Sequence, residues 1–424
     1  MQKSTEELAL DPGSPENPSI FGKYLILGLI AKGGMAEVYK ARRMNDSSLI
    51  ALKCMRQRLA KEQKYVDMFL AEGKLASMLR HPNIVETYEG GRYRGTCFFT
   101  MEYICGKDLN HILRKVQLNE QRIPVPVSLY IISKVARGLN YAHNVKDEEG
   151  KSLNIVNRDV SPSNIRISYD GNVKIIDFGI AKTKARFTSE IGTLKGKFSY
   201  MSPEQIRGLP LDGRTDIFSL GIILYEMLTM ERLFKGESET VLMDKVRKCE
   251  INPPSSINRR ITPELDALVI KALAREREDR YQTGEKFAED LEKLLEPYRF
   301  NPQELSDLMK RLFPEEYSSE LDFISIVSQM NFDGNPNDSG RHETFDSIVK
   351  KDFNLQEVME MEVEIDGEIS DNEPEEDLPE VNKTSENIEI KSSTAPDLMK
   401  YIYAMVGATV LIIFIILIIL LTKG

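Results

Sequence analysis

The stretch Ile155-Val156-Asn157-Arg158-Asp159-Val160-Ser161-Pro162-Ser163-Asn164-Ile165, followed twelve residues later by Asp177-Phe178-Gly179, decides how this chain reads. It contains an Arg-Asp pair, an Asn five residues beyond that Asp, and a second Asp after a short, largely apolar segment. Asp159, Asn164 and Asp177 are thus oxygen-bearing side chains at fixed spacing, the raw material of a site rather than of a core.

The composition is that of a globular protein, with 41% hydrophobic and 29% charged residues in 424. That length allows two to three domains. The net charge of −10 is unevenly placed: residues 331–398 hold 20 Asp/Glu against 5 Lys/Arg, which leaves the remainder mildly basic. Nothing in this balance marks a nucleic-acid binder, so no nucleic-acid partner is expected. The cysteines Cys54, Cys97, Cys105 and Cys249 form no CxxC pair and no metal-ligand spacing with the four histidines, as in proteins of a reducing compartment.

Tyr401 to Leu421 reads YIYAMVGATVLIIFIILIILL, 21 residues without a charge. As a helix it is roughly 31 Å long, about the hydrocarbon thickness of a bilayer. A transmembrane helix is therefore expected over 401–422, a C-terminal anchor in the lipid bilayer with the folded part on the cytoplasmic side. Ala404 and Ala408 around Gly407 give a small-xxx-small pattern, a motif through which such anchors form a homodimer. The acidic segment 331–398 reads as a disordered juxtamembrane linker.

Residues 1–20 are expected to be a flexible lead-in. Strand-like runs follow at Tyr24–Ile30, Glu37–Ala41 and Leu49–Met55, then an amphipathic helix at Tyr65–Leu79 ended by His81-Pro82-Asn83. Beyond Gly106 the pattern is mostly helical, so a small β-rich lobe (about 21–104) precedes a larger helical lobe (about 105–297). Residues 298–330 read as a helical extension packed on the end of the large lobe.

More local patterns accumulate in order. Gly28–Ala41 reads GLIAKGGMAEVYKA, with Ala31, Gly33, Gly34, Ala36 and Val38 in a turn-rich segment between two strands; Ala51 and Lys53 lie in Ile50-Ala51-Leu52-Lys53. Glu72 stands nine residues before His81. Met101-Glu102-Tyr103-Ile104 ends an apolar run, and Met201-Ser202-Pro203-Glu204, Asp216-Ile217-Phe218-Ser219-Leu220-Gly221 and Glu278-Asp279-Arg280-Tyr281 follow the opening stretch.

Together these motifs resemble the protein kinases, and residues 155–165 with Lys195-Gly196-Lys197-Phe198 resemble the bacterial Hanks-type, eukaryotic-like serine/threonine kinases. The resemblance implies the α+β, two-lobed kinase fold over residues 21–297, ATP with Mg²⁺, and protein substrates phosphorylated on Ser or Thr. By position, Ala31, Gly33, Gly34 and Val38 would cover the nucleotide, with alanine at the first and third positions of the glycine motif. Lys53 with Glu72 would hold the phosphates, Ala51 and Met101 would line the adenine slot, and backbone groups of Glu102 and Ile104 would meet the base. Asp159 would be the catalytic base and Asn164 and Asp177 the Mg²⁺ ligands. Arg158 would await an anion on the activation loop, with Thr188, Ser189 and Thr193 as phosphorylation candidates. Glu204, Asp216 and Arg280 would be structural.

Two letters depart from the pattern. Asn157 stands where the family has His, and Ser161 where its serine/threonine members have Lys. Ser161 cannot stabilise charge on the transferring phosphoryl group, and Lys197 is the residue expected to supply that cation. Ser161 matches neither the Lys of one class nor the usual signature of the other, so tyrosine specificity stays open. A pseudokinase scaffold recruiting partners at the membrane is the competing expectation, disfavoured because a scaffold has no chemical need for all of Lys53, Glu72, Asp159, Asn164 and Asp177.

Overall fold

A computed structural model describes residue 10 and residues 12–147, 149–179, 198–330 and 342–344. Its first lobe is a sheet of seven strands: β1 (Ser19–Phe21), β2 (Tyr24–Lys32), β3 (Ala36–Arg43), β4 (Leu49–Met55), β5 (Thr87–Tyr93), β6 (Thr96–Glu102) and β10 (His342–Thr344). They lie in the order β1-β2-β3-β4-β6-β5-β10, every neighbour antiparallel. Strand β1 takes Ser19 and Ile20 out of the stretch expected to be a flexible lead-in, and β10 lies within the stretch expected to be a disordered linker.

The β2–β3 hairpin turns at Gly33, whose N–H donates to the carbonyl of Ala36 at 2.8 Å. Two register shifts, at Ile26/Gly28 and Leu29/Ala31, bend its tip, as bulges do. Helix α1 (Gln63–Met78) packs Val66, Phe69 and Leu70 on the sheet, with the Phe69 and Phe99 rings 5.1 Å apart.

The second lobe is helical: α2 (Leu109–Leu118), α3 (Val125–His143), α4 (Pro203–Ile206), α5 (Gly213–Thr229), α6 (Glu239–Lys248), α7 (Pro263–Ala272) and α8 (Gly284–Leu295). Helix α5 is buried on every side from Thr215 to Thr229 and carries the lobe's core, with Asp216 and Glu226 among its buried side chains. A small sheet, β7 (Gly106–Asp108), β8 (Ile165–Ser168) and β9 (Val173–Ile175), faces the first lobe. The loop after α1 is moored to it. Asn83 Nδ2 donates to the carbonyl of Val173 (3.0 Å), and the Ile175 N–H donates to the carbonyl of Asn83 (2.9 Å).

The extension past residue 298 corrects an expectation. Helix α9 (Gln303–Leu312) does pack on the large lobe, with Leu305, Leu308, Met309 and Leu312 in its core. Helix α10 (Pro314–Gln329), however, leaves the large lobe and runs to the small one, where Val327 packs with Leu25 and Leu27. Its apolar side chains are spaced along one face at Tyr317, Phe323 and Val327, and their partners lie on both lobes. The spans 180–197, 331–341 and 345–424 lie outside the described residues, so Lys197, Thr188, Ser189, Thr193 and the segment 401–422 receive no structural account. Among the described residues, no helix is long and apolar enough to cross a membrane.

One buried ion pair locks the large lobe. Arg280 donates to both carboxylate oxygens of Glu204 at 2.7 and 2.8 Å, with both side chains almost fully buried. Burial would raise the Glu204 pKa, but Arg280 and the Thr215 hydroxyl outweigh it and hold the carboxyl below its ordinary value. Removing one partner leaves the other charged and dry. Arg280→Ala should therefore cost about 3–5 kcal/mol in urea unfolding, whereas Lys293→Ala on the exposed face of α8 should cost under about 0.5. A loss below about 1 kcal/mol for Arg280→Ala would refute this account.

Candidate active site

The site lies where the two lobes meet, and the sheet positions its upper wall. Lys53 stands opposite Val38 on β3 and Phe99 on β6, so its ammonium points beneath the sheet. There Nζ lies 2.5 Å from Glu72 of α1 and 3.6 Å from Asp177. Burial alone would lower the Lys53 pKa, yet the two carboxylates overcome this and hold it above its ordinary value. A fixed cation in a partly dry cleft between two acids is suited to an anionic ligand.

Beside it is an apolar slot. Ala51, Met101 and Ile104 are buried in one cluster against which Val38, Ile30 and Ile176 pack. Its edge is a backbone ribbon with defined polar ends. The Glu102 N–H is taken by the carbonyl of Glu86 (2.8 Å), and the carbonyl of Ile104 accepts from Arg166 Nε (2.9 Å). What this ribbon can offer a flat heterocycle is therefore the Glu102 carbonyl and the Ile104 N–H. Gly33 and Gly34 close the hairpin above; a Cβ on Gly34 would meet nothing within 4 Å.

The lower wall is the quoted loop. Asn164 donates from Nδ2 to the carbonyl and to a carboxylate oxygen of Asp159, both at 2.8 Å, while its own carbonyl accepts the Ile176 N–H at 3.0 Å. Asn157 is fully buried and links the two acidic segments: Nδ2 donates to the carbonyl of Asp177 (3.0 Å), and Oδ1 accepts the Asp159 N–H (3.1 Å). A shorter side chain than the usual His thus still makes both connections. The donors suit a hard cation. Mg²⁺ takes oxygen ligands and holds to one or two carboxylates plus substrate phosphates, and Asp177 with the Asn164 amide oxygen is such a set.

Arg158 adopts φ of 64°, a left-handed conformation costly for a residue with a Cβ. Both flanking peptides are pinned to maintain it. Its N–H donates to Asp216 Oδ1 at 2.9 Å, and its carbonyl accepts from Gln205 Nε2 at 2.9 Å. Its buried Nε has no hydrogen-bond partner among the described residues, and burial lowers its pKa despite the attraction of Asp216. Ser161 is buried and its hydroxyl engages that of Ser163 at 2.9 Å; no cation lies between Asp159 and Asn164 in the sequence.

Several participants carry no motif signal. His143 meets Asp216 at 2.7 Å, Gln205 holds the Arg158 carbonyl, and Arg166 holds the carbonyls of Ile104 and Gly106. Only Gln205 was accessible from sequence, as the last residue of a Ser-Pro-Glu-Gln capping box on α4.

Fold and cleft define a two-lobed phosphotransferase architecture, and residues 24–291 match the protein kinase domain model. The chain belongs to the protein kinase family. It is 39% identical over 316 residues to the tyrosine-protein kinase MasK of Myxococcus xanthus, covering 73% of this chain and 49% of that protein. It is 35% identical to the probable serine/threonine-protein kinase CPE1738 of Clostridium perfringens (64% of this chain, 38% of that protein). To the serine/threonine-protein kinase PknB of Mycobacterium leprae it is 36% identical (65% and 43%). The chain thus spans half or less of the length of these relatives. The PknI kinase domain of Mycobacterium tuberculosis, solved as a single-site mutant, superposes with a TM-score of 0.51 at 24% identity over 68% of this chain and 99% of that one, a likeness of fold.

Asn157→Ala would leave the Asp177 carbonyl and the Asp159 N–H without their buried partners. It should cost about 2–4 kcal/mol in chemical denaturation and raise the Mg²⁺ concentration needed for half-maximal activity. Unchanged values of both would show that Asn157 is a passive filler.

Proposed function

We propose that this chain is an active protein kinase that transfers the γ-phosphoryl group of ATP to Ser or Thr hydroxyls of proteins. The observation that carries the reading is the meeting of Lys53 with Glu72 and Asp177, opposite an Asp159 held by Asn157 and Asn164. In this reading the adenine lies between Val38 and Ala51, with the Glu102 carbonyl and the Ile104 N–H at its polar edge. Lys53 binds the α and β phosphates, oriented by Glu72. Asp177 and Asn164 hold Mg²⁺, which when bound neutralises charge on the phosphate oxygens.

Asp159 accepts the proton of the substrate hydroxyl as its oxygen forms the new bond to phosphorus and the bond to the departing ADP oxygen breaks. The cation missing at Ser161 is supplied by Lys197. Arg158, whose buried Nε has no partner among the described residues, receives a phosphate on Thr188, Ser189 or Thr193, so activity rises on autophosphorylation. A scaffold role would leave the Asn157 and Asn164 bonds around Asp159 without a purpose.

The chain is anchored through residues 401–422, with the kinase on the cytoplasmic side. A linker of about 70 residues lets it range roughly 40–50 Å from the bilayer. Pairing of anchors through Ala404 and Ala408 would favour phosphorylation of one copy by another by raising local concentration.

Radiolabelled ATP should label the wild-type protein and leave Asp159→Asn unlabelled while that variant still binds nucleotide. Equal labelling would remove Asp159 as the base; labelling of neither, with nucleotide bound, would restore the scaffold reading. Hydrolysis of the labelled protein should yield phosphoserine or phosphothreonine, and phosphotyrosine alone would reverse the specificity. Lys197→Met should lower the rate by about two orders of magnitude, the usual scale for losing such a charge. Placing Arg at Ile412 and Ile415 should release the full chain from membranes in alkaline carbonate.

A further inference from the structure

Helix α10 joins three places that the nucleotide reading treats separately. Its first turn rests on the large lobe, where Tyr317 packs on Tyr169 with ring centroids 5.0 Å apart. Its last turn rests on the small lobe through Val327, and just beyond it the carbonyl of Met330 accepts from Arg42 of β3 at 2.7 Å. At its middle, Glu320 lies against the connection between the lobes.

Glu320 is shared by two partners. The Tyr103 hydroxyl donates to Oε1 at 2.5 Å, and Lys40 Nζ reaches Oε2 at 2.8 Å and Oε1 at 3.0 Å. Tyr103 sits between Glu102 and Ile104, whose backbone groups edge the apolar slot. Lys40 is on β3 opposite Ala51 and two residues from Val38, hence on the same face of the strand. The Lys40 ammonium is further held over the rings of Phe323 (4.1 Å) and Tyr103 (5.3 Å). Two elements that would enclose adenine, the roof strand and the interlobe ribbon, are therefore tied to one carboxylate on a helix outside the kinase fold. That carboxylate is only 16% exposed, so its bonds are little weakened by water.

We propose that Glu320 is a positioning residue for the adenine slot: by clamping Tyr103 and Lys40 it fixes the spacing between ribbon and roof before nucleotide arrives. The inference rests on the reading that this slot binds ATP. A slot held at its bound width spares the ligand the cost of ordering it. The clamp touches neither Asp159 nor the Mg²⁺ ligands, so its effect falls on affinity and not on the chemical step.

Full-length variants are compared by binding of a fluorescent ATP analogue with Mg²⁺ and by autophosphorylation rate at saturating ATP. Glu320→Ala should weaken nucleotide binding about five- to tenfold while the saturating rate stays within about twofold. Glu320→Gln keeps an acceptor for Tyr103 but loses the charge opposite Lys40, and should fall between. Tyr103→Phe removes a single oxygen and should weaken binding about two- to threefold; it decides the matter if Glu320→Ala does not fold. Wild-type affinity in Glu320→Ala, or a fall in the saturating rate with affinity intact, would overturn the proposal. A lower melting temperature with unchanged affinity would also overturn it, since it would show a merely structural helix. Absence of nucleotide binding by the wild-type chain would instead overturn the kinase reading, and this inference with it.

Discussion

The catalytic loop depends on one buried carboxylate. Asp216, on α5, has no solvent exposure and accepts the backbone N–H groups of Asn157 and Arg158 at 2.8 and 2.9 Å, with His143 at 2.7 Å. A carboxylate so deeply buried is tolerable because both of its oxygens accept hydrogen bonds. In return it holds a left-handed Arg158, and that turn of the chain aims Asp159 at the cleft. Gly213, at the start of the same helix, must lack a side chain, because a Cβ would approach the His143 ring within 2.5 Å. The first turn of α5 and the end of α3 are thus fitted to one another around the Asp216 carboxylate.

Above the loop the restraints are of another kind. Hydrogen bonds of backbone and Asn83 moor the loop after α1 to β9, so the helix bearing Glu72 ends at a point fixed on the large lobe. The interlobe ribbon is held by Arg166 and by the Tyr169 N–H, which donates to the carbonyl of Cys105 at 2.9 Å. Helix α10 meets the ribbon as well, through Glu320 and the Tyr103 hydroxyl. The lobes are therefore joined by polar contacts at several points along their seam, and by apolar ones where Leu75, Leu79 and Ile84 enter the core of the large lobe.

Much of this was legible in the chain. The strand-like run at Leu49–Met55 and the amphipathic run ending at His81-Pro82-Asn83 placed Lys53 and Glu72 on a strand and a helix, and the two meet although 19 residues separate them. Local periodicity sufficed because each lies within one regular element. The links to Asp216 were not legible in full: its tie to His143 spans 73 residues and carries no periodic signal. Helix α10 was legible as a helix but not as a bridge. Amphipathic spacing says that a face is buried, and says nothing about which surface covers it; Glu320 and Tyr103 are 217 residues apart. Asn157 stood out only as a departure from the family's His; an amide offers donor and acceptor at once, and the fold uses both.

Strand β10 covers one end of the small-lobe sheet. It pairs with β5 at Gly91–Tyr93, the side of the sheet opposite β1. An open strand edge presents a row of unpaired donors and acceptors that invites the same edge of another molecule. Here the chain itself occupies part of that row, with three residues taken from its acidic stretch. The Gly91–Tyr93 edge of β5 is thereby shielded, and the outermost strand on that side is only three residues long, a short edge of the kind that limits edge-to-edge pairing.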